Sequence, residues 1–212
     1  MKEILLIAIG WLLGIFGPPL TELIQNRRRR PQIRNSLFLE LRELRYQLAM
    51  AAFILASNNG AVNKKLIEWV APVIRSANWR KQPPYMQMEE VLKPLLKLSD
   101  DELQAMSARS KGEAESFYFG KYSLPFLSSQ IASLYLFTPE FQRLALDINS
   151  KVQMLNEKID FYRSNHEKTF DSSISNNSRA AVHLNLTNTS QYIENLSRQV
   201  SDQIDGILER KK

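Results

Sequence analysis

The sequence predicts an all-α protein, in which a single transmembrane helix at the amino terminus precedes a cytosolic helical bundle containing a long antiparallel helical hairpin. Three observations predict this class. The chain opens with an apolar stretch long enough to cross a bilayer, later segments repeat apolar residues at alternating spacings of four and three, and helix-start signals precede several of them. The predicted units are a transmembrane anchor (1–26), a basic juxtamembrane segment (27–34), a helical subdomain (35–137) and the hairpin that packs on it (138–212).

The predicted anchor runs from Ile4 to Ile24 and carries no charged side chain before Glu22. At about 1.5 Å per residue it covers roughly 30 Å, the thickness of a hydrocarbon core. A secretory signal peptide fits less well, because Lys2 is offset by Glu3 and no small-residue cleavage pattern follows. A buried core helix also fits less well, because the apolar run is uninterrupted. The side chains expected within the membrane are Ile4, Leu5, Leu6, Trp11, Leu12, Leu13 and Phe16.

Prolines predict two interruptions near the membrane. Pro18 and Pro19 remove backbone donors, so the helix is expected to kink or end there, with residues 20–24 along the interface. Pro31 suits the first turn of a helix, so a new helix is expected to begin at the membrane surface.

The positive charge of the chain is concentrated beside the predicted anchor. Of the net charge of +6, residues 1–26 contribute −1, residues 27–34 contribute +5 and the remainder +2. These arginines are expected to contact anionic lipid, and by the positive-inside rule they place the amino terminus outside and the rest of the chain in the cytoplasm of a bacterial inner membrane. A nucleic-acid partner is not expected, because its binding face would need basic residues spread over the folded domain. The five residues are Arg27, Arg28, Arg29, Arg30 and Arg34.

The first bundle helix is predicted from a continuous apolar seam that ends before Asn58-Asn59-Gly60, a sequence suited to a left-handed cap. Its members are Leu37, Leu41, Leu44, Leu48, Ala51 and Leu55. Four shorter helices follow, the third of them opened by a capping box from Ser99 to Glu102. They are predicted at about 61–79 (with a kink or a new start at Pro72), 86–98, 100–112 and 123–137.

Two long amphipathic helices close the chain. Thr138 and Pro139 mark the start of the first, which repeats the four-three seam to about Phe170. The second covers about 178–210, and its seam shifts phase where Ile204 replaces Gln203 as the apolar residue. Equal lengths and a short connection predict an antiparallel hairpin. Its seam pairs either with the helix over 37–55 or with another subunit, and the sequence leaves both open.

Few residues suggest binding or chemistry. Gly10 and Gly14 have the spacing of a transmembrane self-association face, which would give a homo-oligomer. His166 and His183 flank the hairpin loop, but a metal site needs three or four converging ligands. No catalytic residue, cofactor or metal is predicted, and the absence of cysteine excludes disulfides and thiol catalysis. The loop residues Trp79, Arg80, Lys81 and Tyr85 are a candidate partner surface.

The sequence therefore favours a membrane-anchored cytosolic interaction or scaffold protein, which positions a protein partner at the inner face of the membrane. The alternative is a membrane-active effector or sensor that oligomerises through its transmembrane helix. A third hypothesis, an enzyme with an unfamiliar site, has no motif to support it, because no nucleophile, metal or phosphate-binding signature is present.

Overall fold

The structure is a computed structural model that describes residues 2–76, 85–109, 120–171, 173 and 175–209; the side chains of residues 2–10, 12, 13, 17, 18 and 85–87 lie outside that description. The described residues contain no strand, which confirms the all-α class. In chain order the helices are α1 (Lys2–Asn58), α2 (Lys64–Ser76), α3 (Tyr85–Leu95), α4 (Asp100–Arg109), α5 (Pro125–Ser129), a 3₁₀ helix (Ile131–Leu136), α6 (Pro139–Thr169) and α7 (Asn176–Glu209).

The bundle is built around residues 33–56 of α1, which lie between two apolar clusters. All six residues of the predicted seam, such as Leu41 and Leu48, are at most 5% exposed, and they pack with α5, α6 and α7. The opposite side of α1 contributes Tyr46 and Phe53 to a second cluster with α2, α3 and α4. One helix therefore belongs to both halves of the core.

The two last helices form the predicted antiparallel hairpin. The side-chain amide of Gln203 donates to Asp147 at 2.7 Å, and the ammonium of Lys158 lies 5.3 Å from the centre of the Tyr192 ring. Residues near the start of α6 thus meet residues near the end of α7, as antiparallel packing requires. The predicted phase shift is also present, because Ile204 is fully buried and Gln203 only half-buried.

The hairpin packs on α1 of the same chain. Arg45 forms a 2.7 Å ion pair with Asp205, and the side-chain amide of Asn59 donates to the hydroxyl of Ser190 at 3.0 Å. These pairs set α7 antiparallel to α1. Of the two pairings left open by the sequence, the structure contains the one within the chain, since α1, α6 and α7 share one buried cluster.

The predicted start of a new helix at Pro31 is wrong, and so is the predicted end of the first helix at Pro18 and Pro19. Helix α1 is continuous from Lys2 to Asn58, and its backbone stays helical through positions 18, 19 and 31. A proline makes a helix boundary probable but not certain, and at these positions the helical segments on both sides join through the prolines. The consequence is a single helix of 57 residues, about 85 Å long, that connects the apolar amino-terminal stretch to the core of the bundle.

Capping residues determine where α2 and α4 begin. Helix α2 begins at Lys64 rather than near Ala61, because the side chain of Asn63 accepts a 2.9 Å hydrogen bond from the amide of Leu66 and so acts as the cap. Pro72 lies inside this helix without ending it. The predicted capping box is confirmed, since the Ser99 amide donates to Glu102 at 2.8 Å.

The single helix predicted over 123–137 is wrong. The segment forms α5 and then a 3₁₀ helix, separated at Gln130, and it runs over the seam between α1 and α6. A tertiary contact fixes where α5 begins: the carboxylate of Glu40 on α1 accepts hydrogen bonds from the amides of Phe126 (2.7 Å) and Leu127 (2.8 Å). These bonds fix the first turn of α5 against α1, and no local pattern predicts them.

Candidate functional site

Helix α1 extends beyond the bundle on its amino-terminal side. Among the described side chains of α1, Ile33 is the first that is buried, at 4% exposure, and every described side chain from Trp11 to Gln32 is exposed except the half-buried Asn26. Many of these side chains are large and apolar, which leaves a long apolar helical surface without cover from the rest of the described chain. The large apolar residues, 47–68% exposed, are Trp11, Ile15, Phe16, Leu20, Leu23 and Ile24.

Among the described residues, no helix is both long enough and apolar enough to cross a bilayer. Of the side chains predicted to lie within the membrane, Trp11 and Phe16 are described, and both are exposed. The predictions for Ile4, Leu5, Leu6, Leu12 and Leu13 fall on side chains outside the described part.

The arginines lie between this apolar surface and the bundle. Arg27, Arg28, Arg29 and Arg30 are exposed, and Arg34 is half-buried. Two guanidinium groups lie over aromatic rings, Arg30 at 5.8 Å from the centre of Phe137 and Arg34 at 5.0 Å from that of Phe38. Such stacking holds the planar groups in place and leaves their edges available to an anion.

A pocket opens where α1 leaves the bundle. It has a volume of about 260 Å³, and Arg30, Arg34 and Phe38 line it from one face of α1, each one turn from the next. Opposite them stand Phe137 and Phe141, whose rings stack at 4.8 Å. The cavity thus joins a cationic rim to an apolar, largely aromatic floor.

Other predicted sites are only partly described. Gly10 lies outside the described side chains; around Gly14, no described heavy atom would come within 4 Å of an added Cβ, so this face of α1 is open. The candidate partner residues Trp79, Arg80 and Lys81 lie outside the described residues, as does the side chain of Tyr85.

A second exposed region is the tip of the hairpin. Helix α1 ends at Asn58 and α7 meets that end at Ser190, so residues 176–189 of α7 extend about 20 Å further. Large apolar side chains are exposed on this tip, notably Phe170 at 75% and Leu184 at 62%. We refer to residues 161–189 as the hairpin tip. It lies at the opposite end of the bundle from the arginines.

The two histidines do not form a site with the carboxylates near them. His166 packs between Tyr162 and Phe170, with ring centres 6.3 and 5.2 Å away, while His183 is exposed. Within the described ranges, no group of three or more His, Asp or Glu side chains is arranged to hold a metal ion.

Comparison with protein-family models, with curated proteins and with solved structures gives no match to this chain. The candidate site therefore depends on its geometry alone.

Sequence reasoning identified the arginines but missed the pocket. Most of its floor comes from Phe137 just before α6, Phe141 in its first turn and Ile207 near the end of α7, all more than 100 residues further along the chain than Arg34. One local signal was available: Arg30, Arg34 and Phe38 recur at a spacing of four, which puts them on one face of a helix.

Proposed function

We propose that this protein is a membrane-anchored helical scaffold, with the amino-terminal part of α1 in the inner membrane and the bundle in the cytoplasm, where it positions a protein partner. The observation that carries this proposal is the unburied apolar surface of α1 between Trp11 and Ile24. A bilayer is the occupant that also accounts for the arginines directly behind it, because anionic headgroups attract basic residues at this depth.

The continuity of α1 supports a positioning role. The same helix carries the apolar surface and, from Ile33 onward, the residues at the centre of the bundle core. A rigid helical connection fixes the distance between the membrane and the bundle, whereas a flexible linker would let it vary. The exposed hairpin tip then lies at the end remote from the membrane, which suits contact with a protein partner.

The membrane assignment is tested by charge substitution at matched exposed sites. In the double variant Ile15→Arg/Phe16→Arg, each arginine costs about 2.5–3.5 kcal/mol near the centre of a membrane helix. We expect the full-length variant to move from the carbonate-washed membrane pellet to the supernatant. The control, Leu39→Arg/Leu146→Arg, changes bundle residues of similar exposure (49% and 45%) and is expected to remain in the pellet with the parent protein. A parent chain found wholly in the supernatant would overturn the proposal.

The partner assignment is tested separately with a photo-crosslinking amino acid in living cells. Inserted at Phe170 or Leu184 on the hairpin tip, it is expected to give a heteromeric adduct of one defined mass. Inserted at Leu39, on the side of α1, it is expected to give none. Adducts of the chain with itself alone, or equal adducts from all three positions, would refute a partner at the tip.

The orientation of the chain is tested with a fluorescent reporter fused after Lys212. The reporter becomes fluorescent only when it folds in the cytoplasm, so the proposed orientation is expected to give fluorescent cells.

A further inference from the structure

We propose that the pocket between Arg30, Arg34 and the aromatic floor binds the phosphate group of an anionic phospholipid. It is therefore a defined lipid site, in addition to the general attraction of the arginines for the membrane. This inference rests on the proposed membrane anchoring.

The two arginines are suited to phosphate. They project from one face of α1, and each guanidinium is held over an aromatic ring, so little side-chain freedom is lost when an anion binds. Neither arginine forms an ion pair with a carboxylate of the described residues, so neither charge is neutralised in this part of the chain. The guanidinium group of an arginine can donate two short, parallel hydrogen bonds to two oxygens of one phosphate.

The floor distinguishes a lipid from a free phosphate. Behind the arginines lie Phe38, Phe137, Phe141 and Ile207, an apolar surface that a bare phosphate ion leaves uncovered. A glycerol backbone and the first carbons of an acyl chain cover it. The volume of about 260 Å³ accommodates a headgroup with those atoms and excludes a whole phospholipid, whose chains remain in the bilayer.

The position of the pocket along α1 agrees with this ligand. Counted from Ile24, the last residue of the apolar stretch, Arg30 lies about 9 Å and Arg34 about 15 Å along the helix axis. The headgroup layer on each side of a bilayer is about 5–8 Å thick. The pocket therefore lies at its cytoplasmic edge, within reach of a phosphate.

The test uses the full-length chain in a neutral detergent and a water-soluble lipid, dihexanoyl phosphatidic acid, with binding followed by calorimetry. The pocket variant Arg30→Gln/Arg34→Gln is compared with Arg27→Gln/Arg28→Gln, which removes the same charge from the exposed segment. We expect a loss of affinity of at least about tenfold in the pocket variant and less than about threefold in its counterpart. The Arg30→Lys/Arg34→Lys variant, which keeps the charge without the fork, is expected to fall between them.

Two further ligands determine the source of the phosphate. Inorganic phosphate and dihexanoyl phosphatidylcholine are expected to bind at least about tenfold more weakly than phosphatidic acid, because the first lacks the apolar part and the second carries a positive charge that the arginines repel. Inorganic phosphate binding as tightly as the lipid would overturn the lipid assignment. Equal losses in the two glutamine variants, or no binding by the parent chain, would overturn the pocket itself.

Failure of this inference is distinguishable from failure of the proposed function. The short-chain lipid is soluble, so binding to the pocket requires no membrane. A chain that stays in the carbonate-washed pellet without preferring phosphatidic acid refutes only the pocket. A chain that prefers phosphatidic acid but leaves the pellet refutes only the anchor.

Discussion

Replacement of Glu40 by alanine is predicted to release α5 from α1. Glu40 is half-buried, and each of its two carboxylate oxygens accepts a backbone hydrogen bond from the first turn of α5, at 2.7 and 2.8 Å. The amides belong to Phe126 and Leu127, so the bonds join parts of the chain that are 86 and 87 residues apart. They hold the segment that closes the seam between α1 and α6.

The expected loss follows from these two bonds. A hydrogen bond to a charged group contributes about 1.5–3 kcal/mol, and partial exposure places each bond near the low end. The free energy of unfolding is therefore expected to fall by about 3 kcal/mol in Glu40→Ala, and by about half of that in Glu40→Gln, which keeps one acceptor oxygen. For a chain of this size, the loss of about 3 kcal/mol in Glu40→Ala corresponds to a decrease in Tm of about 6–12 °C.

The assay is thermal unfolding of the full-length chain in detergent, followed by circular dichroism at 222 nm. The control is Glu157→Ala, an exposed glutamate on α6, which is expected to change stability by less than about 0.5 kcal/mol. Hydrogen exchange supplies a local readout, since the amides of Phe126 and Leu127 are expected to exchange faster in Glu40→Ala. Equal Tm values for the two alanine variants, with unchanged exchange at these amides, would refute the reasoning.

Two further predictions concern the core and its pH dependence. Leu48→Ala, at a fully buried position of the α1 seam, is expected to lower the free energy of unfolding by about 2–5 kcal/mol in the same thermal assay. The control Leu39→Ala, at a position 49% exposed, is expected to lower it by less than about 1 kcal/mol. Similar losses in the two variants would contradict the assigned buried face of α1. The hydrogen bond from Lys151 lowers the pKa of Asp147, partial burial opposes this, and the bond from Gln203 lowers the pKa further. A lowered carboxyl pKa gives stability that is full above the unfolded value of about 3.9 and is lost as the pH falls through the folded value. Asp147→Asn should therefore show a weaker loss of stability between about pH 5 and pH 2 in urea unfolding, and an acid dependence identical to that of the parent would count against this assignment.

Local patterns were sufficient for the buried face of α1 and for the starts of two helices. The seam from Leu37 to Leu55, the cap at Thr138 and the box at Ser99 all appear as predicted, because each depends on residues within a few positions of one another. The same reasoning failed at Pro31, where a local preference for a helix start was overridden by the long helix that runs through it.

The candidate site shows the same division. The arginines are visible in the sequence as a run of charge, but the pocket beside them requires the start of α6 and the end of α7 to meet α1. Phe137 and Ile207 carry no signal of such a role, because an apolar residue in a seam looks the same whether it faces a filled core or the wall of a cavity.

The sequence by itself determined that the chain is helical, which faces of the long helices are apolar and where the positive charge is concentrated, because these properties are repeated or summed along the chain. Only the tertiary structure decided that the hairpin packs on α1 of the same chain, that α1 is one continuous helix and that α5 is fixed by Glu40. An apolar seam indicates that one face of a helix must be buried, but it does not identify the helices that bury it. The partner is chosen by packing between helices that are distant in sequence, and local periodicity carries no record of that choice.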